Sequence, residues 1–256
     1  MWLLAACVFA AAKVAVWRAT CSATFTPRAL CWLLLWPGMD LRAFLSEDAP
    51  PRPAVREYLT PLSRIGLGAA LVWVGARQAF AFHPLLAGWI GMLGLILMLH
   101  FGSFDLLSAL WRRAGVYAEP LMRRPSASTS LGEFWGVRWN RGFRDVAHKC
   151  IFEPLAPRIG VRGATLAVFA VSGLLHEFVI SLPARGGYGL PLGYFLLQGV
   201  GTLGQTSRWS RRRGLAKGWR GWLVTLAFTA GPAFWLFHPL FVRRVILPFL
   251  KDLHAL

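Results

Sequence analysis

Apolar residues run in long blocks along this chain, and the polar stretches between them are short and mostly basic. The blocks fall at about 2–17, 29–37, 62–82, 84–101, 164–182, 188–207, 219–237 and 239–250. A helix needs roughly 17–25 mostly apolar residues to cross the hydrocarbon core of a bilayer. Six of the blocks therefore predict spanning helices. The other two, 29–37 and 239–250, are shorter and are re-entrant, interfacial or extended by their neighbours; with them the number of helices is eight. The pattern predicts an all-α fold, a polytopic integral membrane bundle of six to eight helices with interfacial amphipathic helices. No repeat of 20–50 residues is visible, so residues 1–256 read as one integral membrane domain.

Composition agrees with that pattern. Of the 256 residues 56% are hydrophobic and only 15% charged, against about 25% charged in soluble domains. The 28 Lys and Arg outnumber the 11 Asp and Glu, for a net charge of +17. In a soluble chain such a balance would point to nucleic acid. Here the charges sit between apolar blocks, as in the cytoplasmic loops of membrane proteins, and no nucleic-acid partner is expected. The loop 208–220 holds six basic residues and no acid, and 112–162 holds many more, among them Arg123, Arg124, Arg141 and Arg144. Both stretches are expected to face the cytoplasm, which sends the blocks 164–182 and 188–207 out across the membrane and back. The apolar N-terminus, with Lys13 inside it and no basic n-region, reads as a retained first membrane helix. Cys7, Cys21, Cys31 and Cys150 show no CxxC pairing and no metal-ligand spacing, so no metal is expected and they read as small apolar residues.

Two stretches carry chemistry. The first, 130–155, is amphipathic: at about 100° per residue Trp135, Trp139, Phe143, Val146 and Cys150 share one face. Arg138, Arg141, Asp145, His148 and Lys149 share the other. That predicts a helix lying in the membrane interface, capped by Ser130 or Thr129, with Glu133 three residues after Ser130 completing a capping box. Asn140 stands at the shoulder between the faces, where solvation or a turn is the commoner role for an Asn.

The second stretch is VSGLLHEFVI (171–180), which sets His176 and Glu177 in a run with no other ionisable residue from Ala164 to Leu182. A charge at the centre of a membrane helix costs about 2.5–3.5 kcal/mol on insertion scales, and intramembrane ionisable residues mark functional sites. Ser172 and Gly173, one turn back, leave room beside the imidazole for a substrate or for a neighbouring helix. Glu177 points about 100° away from His176 and needs a separate partner. His100 and Asp105 are further polar residues near a membrane boundary, either lining a chamber or structural.

No second His follows at position 180, so there is no HExxH zinc site. GxSxG, Walker and GxGxxG patterns are also missing. A His base without an evident protein nucleophile suits direct transfer, with His taking a proton from a substrate hydroxyl as it attacks a carbonyl. The pair FWGVRWN (134–140) and VSGLLHE (171–177) resembles the membrane-bound O-acyltransferase family, and within it the wax synthase-like branch. The Asn-to-His separation, 176 − 140 = 36 residues, is similar to that family's. The likeness is strongest over about 100–205, with a WPGMD turn (36–40) that also looks like this branch.

The resemblance implies acyl transfer with His176 as general base and Asn140 orienting substrate or stabilising developing charge. Trp135, Arg138, Trp139, Ser172 and Glu177 would line the substrate site. It implies no cofactor beyond the co-substrate, an acyl-CoA or acyl carrier protein thioester reached from the cytoplasm. The acceptor would be a long-chain alcohol or another lipid alcohol. Alternatives are O-acylation of a sugar or small secreted metabolite in the same fold, or a transporter with His176 and Glu177 on a proton path.

Overall fold

The computed structural model describes residues 2–20 and 26–256; Cys21 lies outside the described residues. Among the described residues every regular element is helical. Four helices are long and apolar enough to cross a membrane: α1 (Trp2–Thr20), α4 (Arg56–Phe80), α5 (Pro84–Arg113) and α7 (Arg141–Ala184). A fifth span results if α10 (Gly218–Leu236) and α11 (Pro239–Asp252) count as one broken crossing. Among the described residues, length and composition thus give four or five such spans, against the six to eight expected from sequence. The block 188–207 forms α8, Leu190–Gln205, of 16 residues, and 29–37 forms α2, Pro27–Leu35, of 9 residues. The remaining labelled helices are α3 (Leu41–Leu45), α6 (Leu131–Glu133) and α9 (Arg208–Arg212).

The chain falls into two compact units, one of Phe9–Met122 with Val242–Leu256 and one of Arg123–Phe241 with the start of α1. In the first, an aromatic core of Trp32, Trp36, Leu41 and Phe44 closes over Val116, Ala118 and Leu121. Lys13, buried in α1, donates from Nζ to the carbonyls of Trp32 (2.9 Å), Trp36 (2.6 Å) and Gly38 (2.7 Å). Its three N–H donors thus tie α1 to the WPGMD turn, and its ammonium lies 3.6 Å from the Trp32 ring centroid. Helices α4 and α5 meet where Gly68 faces Gly94: a Cβ on either would come within 2.6 Å of the other's carbonyl oxygen. Small residues permit such backbone approach in membrane helix pairs. Arg64 pairs with Asp105 (2.9 Å) and Arg112 with Glu57 (2.6 Å) across the same interface. Asp105 is therefore a helix-pairing residue, and His100 packs its ring edge-on to Phe104 at 5.4 Å.

The second unit departs from the sequence expectation at 130–162. The single amphipathic helix predicted over 130–155 is broken at Trp139 and Asn140. Helix α6 continues as a π-helical turn, Phe134–Arg138; α7 then starts at Arg141, and the basic residues up to 162 lie within α7 rather than in a loop. The periodicity was continuous through Asn140, but Asn140 adopts a left-handed conformation (φ 40°, ψ 63°) that ends one helix and caps the next. Asn tolerates that region better than most residues. A second break lies at Gly160 (φ 74°, ψ 164°), a conformation open essentially only to glycine. There the chain changes direction, because Trp135, before α7, packs against Phe169 in its second half (5.9 Å).

Candidate active site

The first motif is anchored from its start. Ser130 Oγ accepts from the Glu133 N–H (3.1 Å), as a capping box requires. The Glu133 carboxylate reaches back one residue further than that box, to the Thr129 N–H (2.7 Å). Arg138 Nε donates to Glu133 (2.7 Å) and its Nη1 to the Arg123 carbonyl (3.0 Å). Partial burial pushes the Glu133 carboxyl up, but the Thr129 and Arg138 hydrogen bonds outweigh it and hold the group below the usual carboxylate range. These donors make Arg138 the clasp between the motif and the 123–124 segment. Trp139 stacks on Phe134 at 5.5 Å, 12° from parallel. The Asn140 side chain accepts from the Phe143 N–H at 3.5 Å, capping α7.

Trp135 carries the motif to the second stretch. Its indole N–H donates to Gln198 Oε1 (3.3 Å), and its ring lies 5.6 Å from Phe195. The other face of that contact is His176, whose ring centroid is 4.3 Å from Phe195. The structure thus brings Trp135 and His176 onto one aromatic residue that the sequence reading did not single out.

His176 Nδ1 lies 2.7 Å from the Ser172 carbonyl oxygen, one turn earlier in α7. A carbonyl can only accept, so Nδ1 carries the proton and, in the neutral ring, the lone pair is on Nε2. Among the described residues that nitrogen has no hydrogen-bond partner, which leaves it open to a substrate hydroxyl. The space beside the imidazole is filled by a neighbouring helix at Gly173, where an added Cβ would meet Leu192 Cα at 2.9 Å and Phe195 Cβ at 3.3 Å. Ser172 contributes its carbonyl. Glu177 has the separate partner its angle required: Oε1 accepts from the Gly189 N–H (2.9 Å) and the Leu192 N–H (3.1 Å) at the start of α8.

Several buried polar groups were missed. Gln198 and Gln205, seven residues apart on α8, face inward. Gln198 also donates to Phe228 O (2.6 Å), and Gln205 joins the Leu131 N–H (2.6 Å) to Leu215 O (2.8 Å). Two glutamines at that spacing in an apolar helix were the available signal. His238, 1% exposed, accepts at Nδ1 from the Phe241 N–H (3.2 Å) and meets Ser181 Oγ at 3.5 Å. Its chain position, far from either motif, gave no hint of it. Cys7, Cys31 and Cys150 are free, and no cluster of His, Cys, Asp or Glu among the described residues is arranged to hold a metal ion.

Sequence comparison finds relatives for the segment that carries these residues. Residues 118–197 match the sequence profile of the membrane bound O-acyl transferase family. The likeness to that family covers this segment of the chain. The segment contains both motifs, Phe195 and the Trp135–His176 connection. Curated relatives carry names from the branch that the motifs indicated. A long-chain-alcohol O-fatty-acyltransferase of Simmondsia chinensis is 33% identical over 155 residues, 54% of this chain and 43% of its own. The probable long-chain-alcohol O-fatty-acyltransferase 7 of Arabidopsis thaliana is 31% identical over 151 residues, 51% of this chain and 42% of its own. An acyl-CoA–sterol O-acyltransferase 1 of Arabidopsis thaliana is 28% identical over 152 residues, 54% of this chain and 43% of its own. The matched region is thus less than half the length of these relatives. No solved structure matches the chain.

Proposed function

We propose that the protein is a membrane-embedded O-acyltransferase that moves a fatty acyl group from a thioester to a lipid alcohol. The observation that carries this reading is the His176 tautomer: Nδ1–H bonded to Ser172 O at 2.7 Å and Nε2 open, inside a segment matching the O-acyltransferase profile. In the proposed reaction the acceptor O–H gives its proton to Nε2 as its oxygen attacks the thioester carbonyl. The tetrahedral intermediate collapses, the C–S bond breaks, and the departing thiolate takes the proton back from the imidazolium. A thioester is activated enough that no covalent enzyme intermediate is needed. Trp135 and Trp139 give the site an aromatic wall, and Asn140 orients substrate or stabilises developing charge.

The donor is an acyl-CoA or acyl carrier protein and the acceptor a long-chain alcohol or sterol; the names of the relatives support that acceptor range, and one of them an acyl-CoA donor. The positive charge of the basic stretches supports a cytoplasmic position for them, and two contacts bring parts of them together. Gln205 joins Leu131 to Leu215, and Trp222 Nε1 donates to Ser126 O at 2.7 Å. The 123–131 segment and the 208–222 loop therefore share one end of their unit, where their positive charge would draw in an anionic donor. The test is to mix purified protein with labelled palmitoyl-CoA and a pool of alcohols, sterols, diacylglycerol and sugars. A labelled lipid ester is expected. A labelled sugar ester, or no ester from any acceptor, contradicts the proposal.

A further inference from the structure

We propose that Glu177 is a positioning residue for His176: its carboxylate anchors the start of α8, and α8 presents Phe195 to the imidazole. The inference rests on the reading of His176 as the base, and it explains why an acid follows that histidine. Helix α8 has no cap of its own. Its N-cap residue is Gly189 (φ 86°), which has no side chain to accept from the first helical N–H groups. Unsatisfied N–H groups and the positive end of the helix dipole both favour a carboxylate there. Glu177 supplies it from α7, accepting from Gly189 and Leu192 with one oxygen.

The neighbouring residues make the link specific. Gly173 and Glu177 are four apart and so share a face of α7. One admits the α8 backbone, with Leu192 Cα 2.9 Å from where a Cβ would stand; the other fastens its end. Phe195 follows Leu192 by one turn on α8, and it arrives with its centroid 4.3 Å from the His176 ring. The imidazole is then held twice, by the Ser172 carbonyl at Nδ1 and by Phe195 against its face. The polar and small residues of SGLLHE thus divide the work. The Ser172 carbonyl fixes the proton, Gly173 admits α8, His176 carries the open nitrogen, and Glu177 fixes α8.

The 185–189 loop has a second support that does not use Glu177. His238 Nδ1 accepts from Phe241, which puts the proton on Nε2, 3.5 Å from Ser181 Oγ. Ser181 in turn donates to Gly187 O at 3.5 Å. Removing the Glu177 carboxylate is therefore expected to loosen α8 at its first turn and leave the fold intact.

Two readouts on the purified full chain test this. With palmitoyl-CoA and hexadecanol as probes, Glu177→Ala and Phe195→Leu should each lower kcat about tenfold, with KM for palmitoyl-CoA changed less than about twofold. The double variant should fall no further than either single one, because both act on the same contact. Glu177→Gln, whose amide oxygen accepts the same two N–H groups, should recover most of the lost rate. Independently of turnover, carbethoxylation of His176 by diethyl pyrocarbonate, followed by mass spectrometry, should change to the same extent in Glu177→Ala and Phe195→Leu and stay at the wild-type rate in Glu177→Gln. Multiplying effects in the double variant would overturn the proposal, as would wild-type His176 modification in Glu177→Ala or a Glu177→Gln as impaired as the alanine. If the wild type fails to acylate hexadecanol, the acyl-transfer reading loses support for that acceptor, and the modification rates still decide the role of Glu177.

Discussion

The α4–α5 pair and the α7–α8 pair both carry ionisable groups in apolar surroundings, and they use them in opposite ways. Across α4–α5, Glu57 meets Arg112 and Arg64 meets Asp105. The partners are seven residues apart on each helix (64 − 57 = 7 and 112 − 105 = 7), with the signs reversed. A slip of two turns would set like charges opposite each other, so the two bridges select one antiparallel register. Each charge there is answered by another charge. Across α7–α8 the titratable groups lean on the backbone instead. Glu177 takes two N–H groups, and His176 gives its Nδ1 proton to a carbonyl. That scheme leaves one imidazole nitrogen open.

Substitutions at the two interfaces should separate these roles. The largest effect short of removing His176 is expected at Gly173→Val, which forces α8 away from the imidazole. A shift of about 1 Å at a reacting group costs on the order of 100-fold in rate, so kcat should fall by roughly that factor while the protein still inserts. Asp105→Leu should behave in the reverse way. Breaking a partly exposed ion pair leaves Arg64 uncompensated and should cost about 1–2 kcal/mol in stability, measured by thermal unfolding in detergent. Turnover per folded molecule should change by less than about twofold. Asn140→Ala removes both the cap of α7 and the residue best suited to φ 40°. It should cost about 1 kcal/mol and slow turnover several-fold, well short of the loss at His176.

The smallest effect belongs to Glu133. Its folded pKa is depressed, so its contribution is present above the ordinary glutamate value of about 4.3 and is lost as pH falls through the lower folded value. Glu133→Gln should therefore lower the melting temperature slightly at neutral pH. It should cease to differ from wild type in acid below that window.

Much of this arrangement was legible in the sequence. The apolar blocks marked the helices, Ser130 and Glu133 marked the start of the first motif, and the angle between His176 and Glu177 announced two different partners. The break at Asn140 was not legible, because the amphipathic period ran through it and only the backbone conformation reveals the turn. Residues 141–155 were expected to be helical and are, but as the start of α7, which runs on through the basic residues up to 162, rather than as part of a separate interfacial helix. Phe195 and Gln198 escaped notice for other reasons. Phe195 is ordinary in its own helix and acquires its role only by meeting Trp135 and His176 from other elements, whereas the signal for Gln198, a second glutamine seven residues on in an apolar helix, was there to be read.

The most direct measurement is thiol release from palmitoyl-CoA, with and without hexadecanol, by the wild type and by His176→Ala. Release that requires the alcohol and falls by on the order of 1,000-fold in the variant, with its thermal unfolding unchanged, is the predicted result. A purified His176→Ala that keeps most of the wild-type rate would contradict the central claim.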